Sequence, residues 1–546
     1  MIKHCLSTGD LGIHPETLRE RVRQAEDKHQ DPVNQMTKPL TNPVSFETRG
    51  WRSPVSKNRA VHLQPSPLEV LLPDGIAQRI VVLGSANTPA PICGTTNADE
   101  DTLADLVLIN PSREERRDRR WIASTSATVA GQLARDGIAY VLAPTALRLR
   151  RALYTVGLRE EGCFLHLPDV ARSRYLVPVG SAAERYAFSG PLPMSEHKRV
   201  AALAALRVPM LARLGPSGVA FRRPGARPLA RWLFELHGKP PPPWSALVSR
   251  SWRNTGATVL LRFTSGESKP DLVVKLSPTA PAELSALQEI APAAGRSGAR
   301  VPIGLLLAAL ESRPFVAQTP VGGRPAQLLL GRGLVTKETM LERIAAWLLR
   351  WGAESAQRRE ITRADVEARV LGPAREVARV APVPGYVDYL VRLSAKLVGL
   401  PMPFVAAHND MTTSNILVLD EDPRLGIVDW EDARAEWLPL TDFFYASADV
   451  AASVGDTDGN GRVRAFVECF TPEGAAHALV SRLRADLASA LAVDRSVVEL
   501  SFHACWLHHA VHELRHEAPD GSGPFATIAG TVAREPERFA ATLELA

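Results

Sequence analysis

Val405-Ala406-Ala407-His408-Asn409-Asp410-Met411-Thr412-Thr413-Ser414-Asn415-Ile416-Leu417-Val418, followed by Leu425-Gly426-Ile427-Val428-Asp429-Trp430-Glu431, decides how this 546-residue chain is read. The pattern is H-x-D-x-x-x-x-N, a short apolar strand, a turn at Glu421 to Pro423, a second apolar strand and an aspartate. Asn415 and Asp429 flank the two arms of that hairpin, so both side chains can converge on one point. A carboxylate and an amide oxygen are hard donors that suit Mg²⁺, which keeps water and phosphate as further ligands. Asp410, on the connecting loop, is placed to accept a hydrogen bond from an incoming hydroxyl while the metal holds a triphosphate.

The segment resembles the catalytic and metal-binding loops of the aminoglycoside phosphotransferase and choline kinase-like family, which shares the protein-kinase fold. The resemblance covers residues 245–546 and implies a bilobal unit, with a β-rich small lobe at 245–330 and a helical large lobe at 331–546. It implies transfer of the γ-phosphate of ATP or GTP, with Mg²⁺, to a hydroxyl of a small molecule such as an aminoglycoside, sugar or amino alcohol. On this resemblance Asp410 is the catalytic residue, His408 supports the catalytic loop, and Asn415 and Asp429 hold the metal. Asp442, in Leu438-Pro439-Leu440-Thr441-Asp442, matches a downstream aspartate that steadies the loop. Trp430 after the metal aspartate suits the small-molecule group better than the D-F-G of protein kinases. Glu431, Asp432 and Glu436 add negative charge that would suit a cationic acceptor.

The resemblance also implies upstream parts. The chain has ten lysines, and of Lys269, Lys275, Lys337 and Lys396 only Lys275 is embedded in β-branched strand text, Leu272-Val273-Val274-Lys275-Leu276. It stands where the family's phosphate-contacting lysine sits. Its ion-pair partner is expected on the next helix. Glu283 is preferred to Glu289 because Glu283, Leu287 and Ile290 share one helical face. The nucleotide-covering hairpin is Ser251 to Ala257, where Asn254, Thr255 and Gly256 offer backbone N–H groups to phosphate. Val316 to Gly323 resembles the hinge between the lobes.

Upstream of this unit the texture differs. Residues 1–70 are polar and Pro-rich and read as a weakly structured extension, with one short helical pattern at Pro15 to Lys28. Residues 71–194 read as an α/β domain. Its strands are expected at Ile80–Leu83, Leu106–Ile109, Tyr140–Ala143, Cys163–Leu167 and Arg174–Val179. Its helices are expected at Trp121–Arg135, ending at the turn Asp136-Gly137, and at Thr145–Val156. That order weakly resembles the C-terminal half of a class I methyltransferase fold. The glycine-rich loop that would hold a methyl donor is absent from Val81 to Asn87, so the domain reads as structural or as a surface for a protein or intramolecular partner. Residues 195–244 form a helical and Pro-rich linker, with a helix at Ser195–Leu214 and four prolines at 240–243 that mark a stiff spacer. The fold class is thus multidomain α+β, an α/β sheet domain followed by a protein-kinase-like domain.

Bulk composition excludes several other classes. Apolar residues at 45% and charged residues at 23% are ordinary globular values. A formal charge of +5, from 64 basic and 59 acidic residues, is too balanced for a dedicated nucleic-acid binder. No apolar run approaches the ~20 residues needed to span a bilayer, and Met1 to Asp10 does not read as a secretory signal. Five scattered cysteines without a C-x-x-C pair argue against a disulfide framework. A cytoplasmic protein without membrane or nucleic-acid partners is expected. Two further motifs compete. His512-Glu513-Leu514-Arg515-His516 has the H-E-x-x-H form of zinc hydrolases, in a helix that also offers Cys505 and His508 as metal ligands. Asp456 to Gly461 mimics the start of an EF-hand but has Val467 in place of the bidentate glutamate. The rival functional readings are therefore a pseudokinase-type binding protein and a zinc-dependent hydrolase.

Overall fold

The computed structural model describes residues 68–74, 77, 79–84, 103–142, 146–167, 175–189, 217–236, 246–250, 257–264, 267–310, 313–420, 422–452 and 459–543. The extension at 1–67, the helix expected at Ser195–Leu214, the four prolines, the hairpin tip with Asn254, Thr255 and Gly256, and the first three residues of the EF-hand-like turn lie outside the described residues. The chain divides into two compact units, residues 1–281 with 305–320, and residues 282–304 with 321–546. The passage at Pro320 to Val321 falls within the segment read as a hinge. Among the described residues no helix is long and apolar enough to cross a membrane.

The first unit is built on one 11-stranded sheet. Across the sheet the strands are Ile80–Leu83, Ala104–Ile109, Leu133–Val141, Ser217–Arg222, Arg159–Leu167, Tyr175–Pro178, Ala246–Arg250, Thr258–Arg262, Leu272–Leu276, Arg313–Gln318 and Gly304–Leu310. The first three are mutually parallel. Parallel neighbours require a crossover, which the helix Arg119–Gln132, capped by Asp118 at the Arg120 N–H, supplies between the second and third strands. From Leu133–Val141 to Arg313–Gln318 every neighbouring pair is antiparallel. The pairing Leu176↔Val248 joins strands from either side of position 245 in one sheet.

Asp136-Gly137, expected as a turn, lies instead inside the strand Leu133–Val141. A Cβ on Gly137 would come within 2.8 Å of the Ala104 carbonyl oxygen. The register there shifts between Ala104 and Leu106. Glycine is used at this point for close approach of a neighbouring backbone at a bulge, a role that sequence alone confuses with a turn.

The second unit is mainly helical. It holds a sheet of four short strands, Ala299–Arg300, Leu425–Ile427, Ile416–Val418 and Arg324–Pro325, and a three-stranded sheet, Gln357–Glu360, Pro401–Ala407 and Arg434–Trp437. The helix Lys337–Ser355 starts at Thr336, whose hydroxyl accepts the Thr339 N–H. It buries Met340, Leu341, Ile344, Trp347, Leu348 and Trp351 on one face at helical spacing. Trp347 stacks on Trp351 at 4.9 Å between centroids, and Trp351 meets Trp430 edge-on at 5.8 Å. A buried aromatic row of this kind contributes several kcal/mol of apolar burial, at about 25 cal/mol per Å², and its Trp430 end packs against His408 of the loop. The helix Thr441–Ala452 is buried nearly all round and carries two buried acids, Asp442 and Asp449.

Candidate active site

The loop begins where the buried strand Pro401–Ala407 ends. Asn409 takes a left-handed conformation, φ 61°, which asparagine adopts more readily than most residues. The turn aims two successive N–H groups at one carboxylate. His408 donates its backbone N–H to Asp442 Oδ2 at 2.7 Å, and Asn409 donates to Oδ1 at 2.8 Å. Asp442 stands in the first turn of its helix, where the macrodipole favours negative charge. Burial pushes its pKa up, against the lowering effect of His408 and of the two N–H donors.

His408 is fully buried. Its Nδ1 accepts the Asp410 N–H at 3.3 Å and its Nε2 lies 3.0 Å from the Val428 carbonyl oxygen. A carbonyl can only accept, so Nε2 carries the proton. The ring also packs edge-on against Trp430 at 4.9 Å. With both nitrogens engaged by the backbone, His408 is an anchor joining the loop to Val428, directly after the strand Leu425–Ile427.

Asn415 closes the loop. Its Nδ2 donates to the Asp410 carbonyl at 3.0 Å and to Asp410 Oδ2 at 2.8 Å. Both amide protons are thereby used, which turns the amide oxygen away from Asp410 as an acceptor. The strands Ile416–Val418 and Leu425–Ile427 pair with Ile416 opposite Ile427, and the Val428 N–H donates to the Asn415 carbonyl at 3.0 Å. That pairing places Asp429 next to the loop. Asp429 also has a left-handed φ, 69°, a strained state for a non-glycine residue that costs about 1 kcal/mol and clusters at functional sites.

Asp429, Glu283 and Glu431 present ligand oxygens all within 4.8 Å of one another. Glu283 is fully buried on the helix Ala280–Glu289, whereas Glu289 is exposed and accepts from Ser285. Such a set of hard oxygens suits a divalent cation of the Mg²⁺ type. Among the described residues this is the one group of three or more His, Cys, Asp or Glu side chains so arranged. Of the other two acids near the site, Glu436 pairs with Arg359 at 3.0 Å, and the Asp432 carbonyl accepts from Asn409 Nδ2 at 3.2 Å.

Lys275 belongs to the first unit, buried on Leu272–Leu276 with Val259 and Val316 as its register partners. Asn254, Thr255 and Gly256 lie outside the described residues. The histidine-rich helix is occupied structurally. Glu513, the would-be base of H-E-x-x-H, accepts the N–H groups of Phe525 and Ala526 at 2.9 Å each, capping the helix Pro524–Arg534. Cys505 and His503 are fully buried, and Tyr386 hydrogen-bonds the His503 ring at 3.0 Å.

One residue of the loop's support escapes the sequence reading. Asp449 Oδ2 accepts both the Thr413 N–H and the Thr413 hydroxyl at 2.7 Å. No sequence signal marks it, because an acid seven residues after Asp442 in largely apolar helix text does not show which loop it reaches.

Residues 252–476 match the phosphotransferase enzyme family. Among curated protein sequences none matches. Solved structures similar to the chain include the GDP complex of an aminoglycoside 2'-phosphotransferase, 17% identical with a TM-score of 0.33, covering 54% of this chain and 92% of that one. Another is an aminoglycoside phosphotransferase, APH(3'')-Id, from Streptomyces rimosus in complex with ADP and streptomycin, 16% identical with a TM-score of 0.29, covering 46% and 92%.

Proposed function

We propose, from the premise that residues 252–476 are a phosphotransferase-family region, that this protein transfers the γ-phosphate of ATP or GTP to a hydroxyl of a small-molecule acceptor. The observation that carries the proposal is the Asp410–Asn415 couple, in which one side-chain amide fixes both the carbonyl and the carboxylate of Asp410. Asp410 is the group that receives the acceptor's hydroxyl hydrogen bond and orients the oxygen for attack. A positioned base of this kind typically contributes about 10²–10⁴-fold. Asn415 and Asp429 are the metal ligands, with Glu431 beside them. Mg²⁺, when bound, offsets the charge of the triphosphate oxygens. Lys275 is assigned to the α and β phosphates by its strand position and by the resemblance. The acid group at Glu283, Asp429 and Glu431 supports a cation site, and the commitment of Glu513 to a helix start speaks against the zinc-hydrolase reading.

The test is nucleotide consumption by the full chain with Mg-ATP or Mg-GTP across a panel of aminoglycosides, sugars and amino alcohols. Acceptor-dependent turnover that Asp429→Ala abolishes is expected. A chain that neither binds nucleotide nor loses anything on Asp429→Ala would end the proposal.

A further inference from the structure

We infer that Asp449 is a positioning residue for the loop 408–415, holding its downstream half as Asp442 holds its upstream half. The inference rests on the phosphotransferase reading for its catalytic consequence, and on hydrogen bonds for its geometry. Asp449 stands in the last turn of Thr441–Ala452, where the helix macrodipole disfavours negative charge. It is also only 9% exposed. A carboxylate in that position is a liability unless donors compensate it, and the donors come from the loop. One oxygen, Oδ2, takes the Thr413 N–H and hydroxyl at 2.7 Å each. The other, Oδ1, faces Arg462 at 3.5 Å, on the helix Gly459–Phe470.

Thr413 is three residues after Asp410 and two before Asn415. Its own carbonyl accepts the Gln327 N–H at 3.0 Å, so its backbone is pinned on both sides. Asp442 and Asp449 are seven residues apart, about two helical turns and ~10 Å along one axis. A single rigid helix therefore spaces the two ends of the loop, and the Asp410–Asn415 couple is strung between them. Loss of Asp449 removes two of the hydrogen bonds that hold Thr413 and loosens the downstream half of the loop. Displacement of about 1 Å in a reacting constellation costs about 10²-fold in rate.

The experiment compares the full-length wild type with Asp449→Ala, Asp449→Asn and Thr413→Val. Amide hydrogen exchange is followed in peptides covering 408–416 and 441–452, and Mg-nucleotide turnover is measured in parallel. For Asp449→Ala, exchange in 408–416 should accelerate about 10–100-fold, the range expected for a lost hydrogen bond to a charged group, while 441–452 stays protected. Its kcat should fall about 10²-fold with the nucleotide KM within about threefold of wild type. Asp449→Asn, which keeps an acceptor oxygen, should recover part of both. If Asp449→Ala does not fold, Thr413→Val carries the test, with an expected kcat loss of about tenfold. Wild-type loop protection and kcat in these variants would overturn the inference. So would loss of protection spread equally through 441–452 with kcat tracking the folded fraction, since that is a purely structural role. Should the wild type consume no nucleotide at all, the phosphotransferase reading fails, and the exchange pattern alone decides the role of Asp449.

Discussion

The two units bury polar side chains in different ways. In the first unit they occur as scattered pairs and small groups. Tyr140 and His166 meet at 2.8 Å across the intervening strand Ser217–Arg222, above Gly218, where a Cβ would lie 2.2 Å from the tyrosine ring. Arg262, wholly buried, is shared between Asp271 at 2.9 Å and the Leu233 carbonyl at 3.1 Å. In the second unit His408, Asn409, Asp410, Thr412, Thr413 and Asn415 are all buried within eight consecutive residues. Their partners are chiefly backbone groups and two acids of one helix. Pairs of the first kind satisfy polar groups that packing has trapped. A run of the second kind fixes side chains relative to one another, which chemistry requires and packing does not.

Substitution at Asp410 breaks that contrast most sharply. Asp410→Asn removes the proton acceptor while keeping volume, so turnover should fall about 10³-fold. Nucleotide binding, followed by thermal shift with Mg-ATP, should persist. Gly218→Ala, which overpacks the buried pair of the first unit, should cost about 1–3 kcal/mol of stability. An Asp410→Asn enzyme that turned over within tenfold of wild type would remove the distinction drawn between the two units.

Much of this contrast was legible in the sequence because the loop concentrates it. Asn415 and Asp429 stand at the ends of two apolar strands with Asp410 on the connecting loop, which spacing shows, whereas Asp442 was named through the family resemblance. Asp449 was not legible, since an acid inside apolar helix text has no sequence mark for the loop it reaches. The sheet was partly legible. The apolar runs Ile80–Leu83 and Cys163–Leu167 lie within observed strands. Their order across the sheet was not, because the neighbour of Leu133–Val141 is Ser217–Arg222, more than seventy residues later. Gly137 misled for a local reason, since glycine serves turns and close backbone approach alike.

Both units contain a buried tyrosine–histidine couple, which allows a direct test. Tyr140–His166 and Tyr386–His503 are buried tyrosine–histidine hydrogen bonds, one in a sheet and one between helices. Tyr→Phe at either position removes the hydroxyl and leaves a ring nitrogen buried without its partner. Each should lose about 1–2 kcal/mol in urea unfolding, with kcat unchanged in Tyr140→Phe. A loss of turnover in Tyr140→Phe without loss of stability would give this tyrosine–histidine pair a part in the chemistry beyond packing.

The smallest effect is the pH dependence those histidines build in. Burial lowers His166 to about 4 and His503 to about 3, against an ordinary value near 6.5. Between pH 6.5 and those lowered values the unfolded chain binds protons that the folded chain does not. Stability is therefore complete above about pH 6.5 and declines as pH falls, by about 1 kcal/mol per histidine between pH 7 and 5.5. Asp442 acts with the opposite sign. Burial raises its folded value, so the native state takes up a proton first and falling pH favours the fold until the ordinary aspartate value is reached. Urea midpoints measured between about pH 7 and 5.5 for wild type, His166→Leu and His503→Leu resolve the contributions. Each substitution should flatten the slope by one histidine's share, and a slope that survived both would place the acid sensitivity outside the buried pairs.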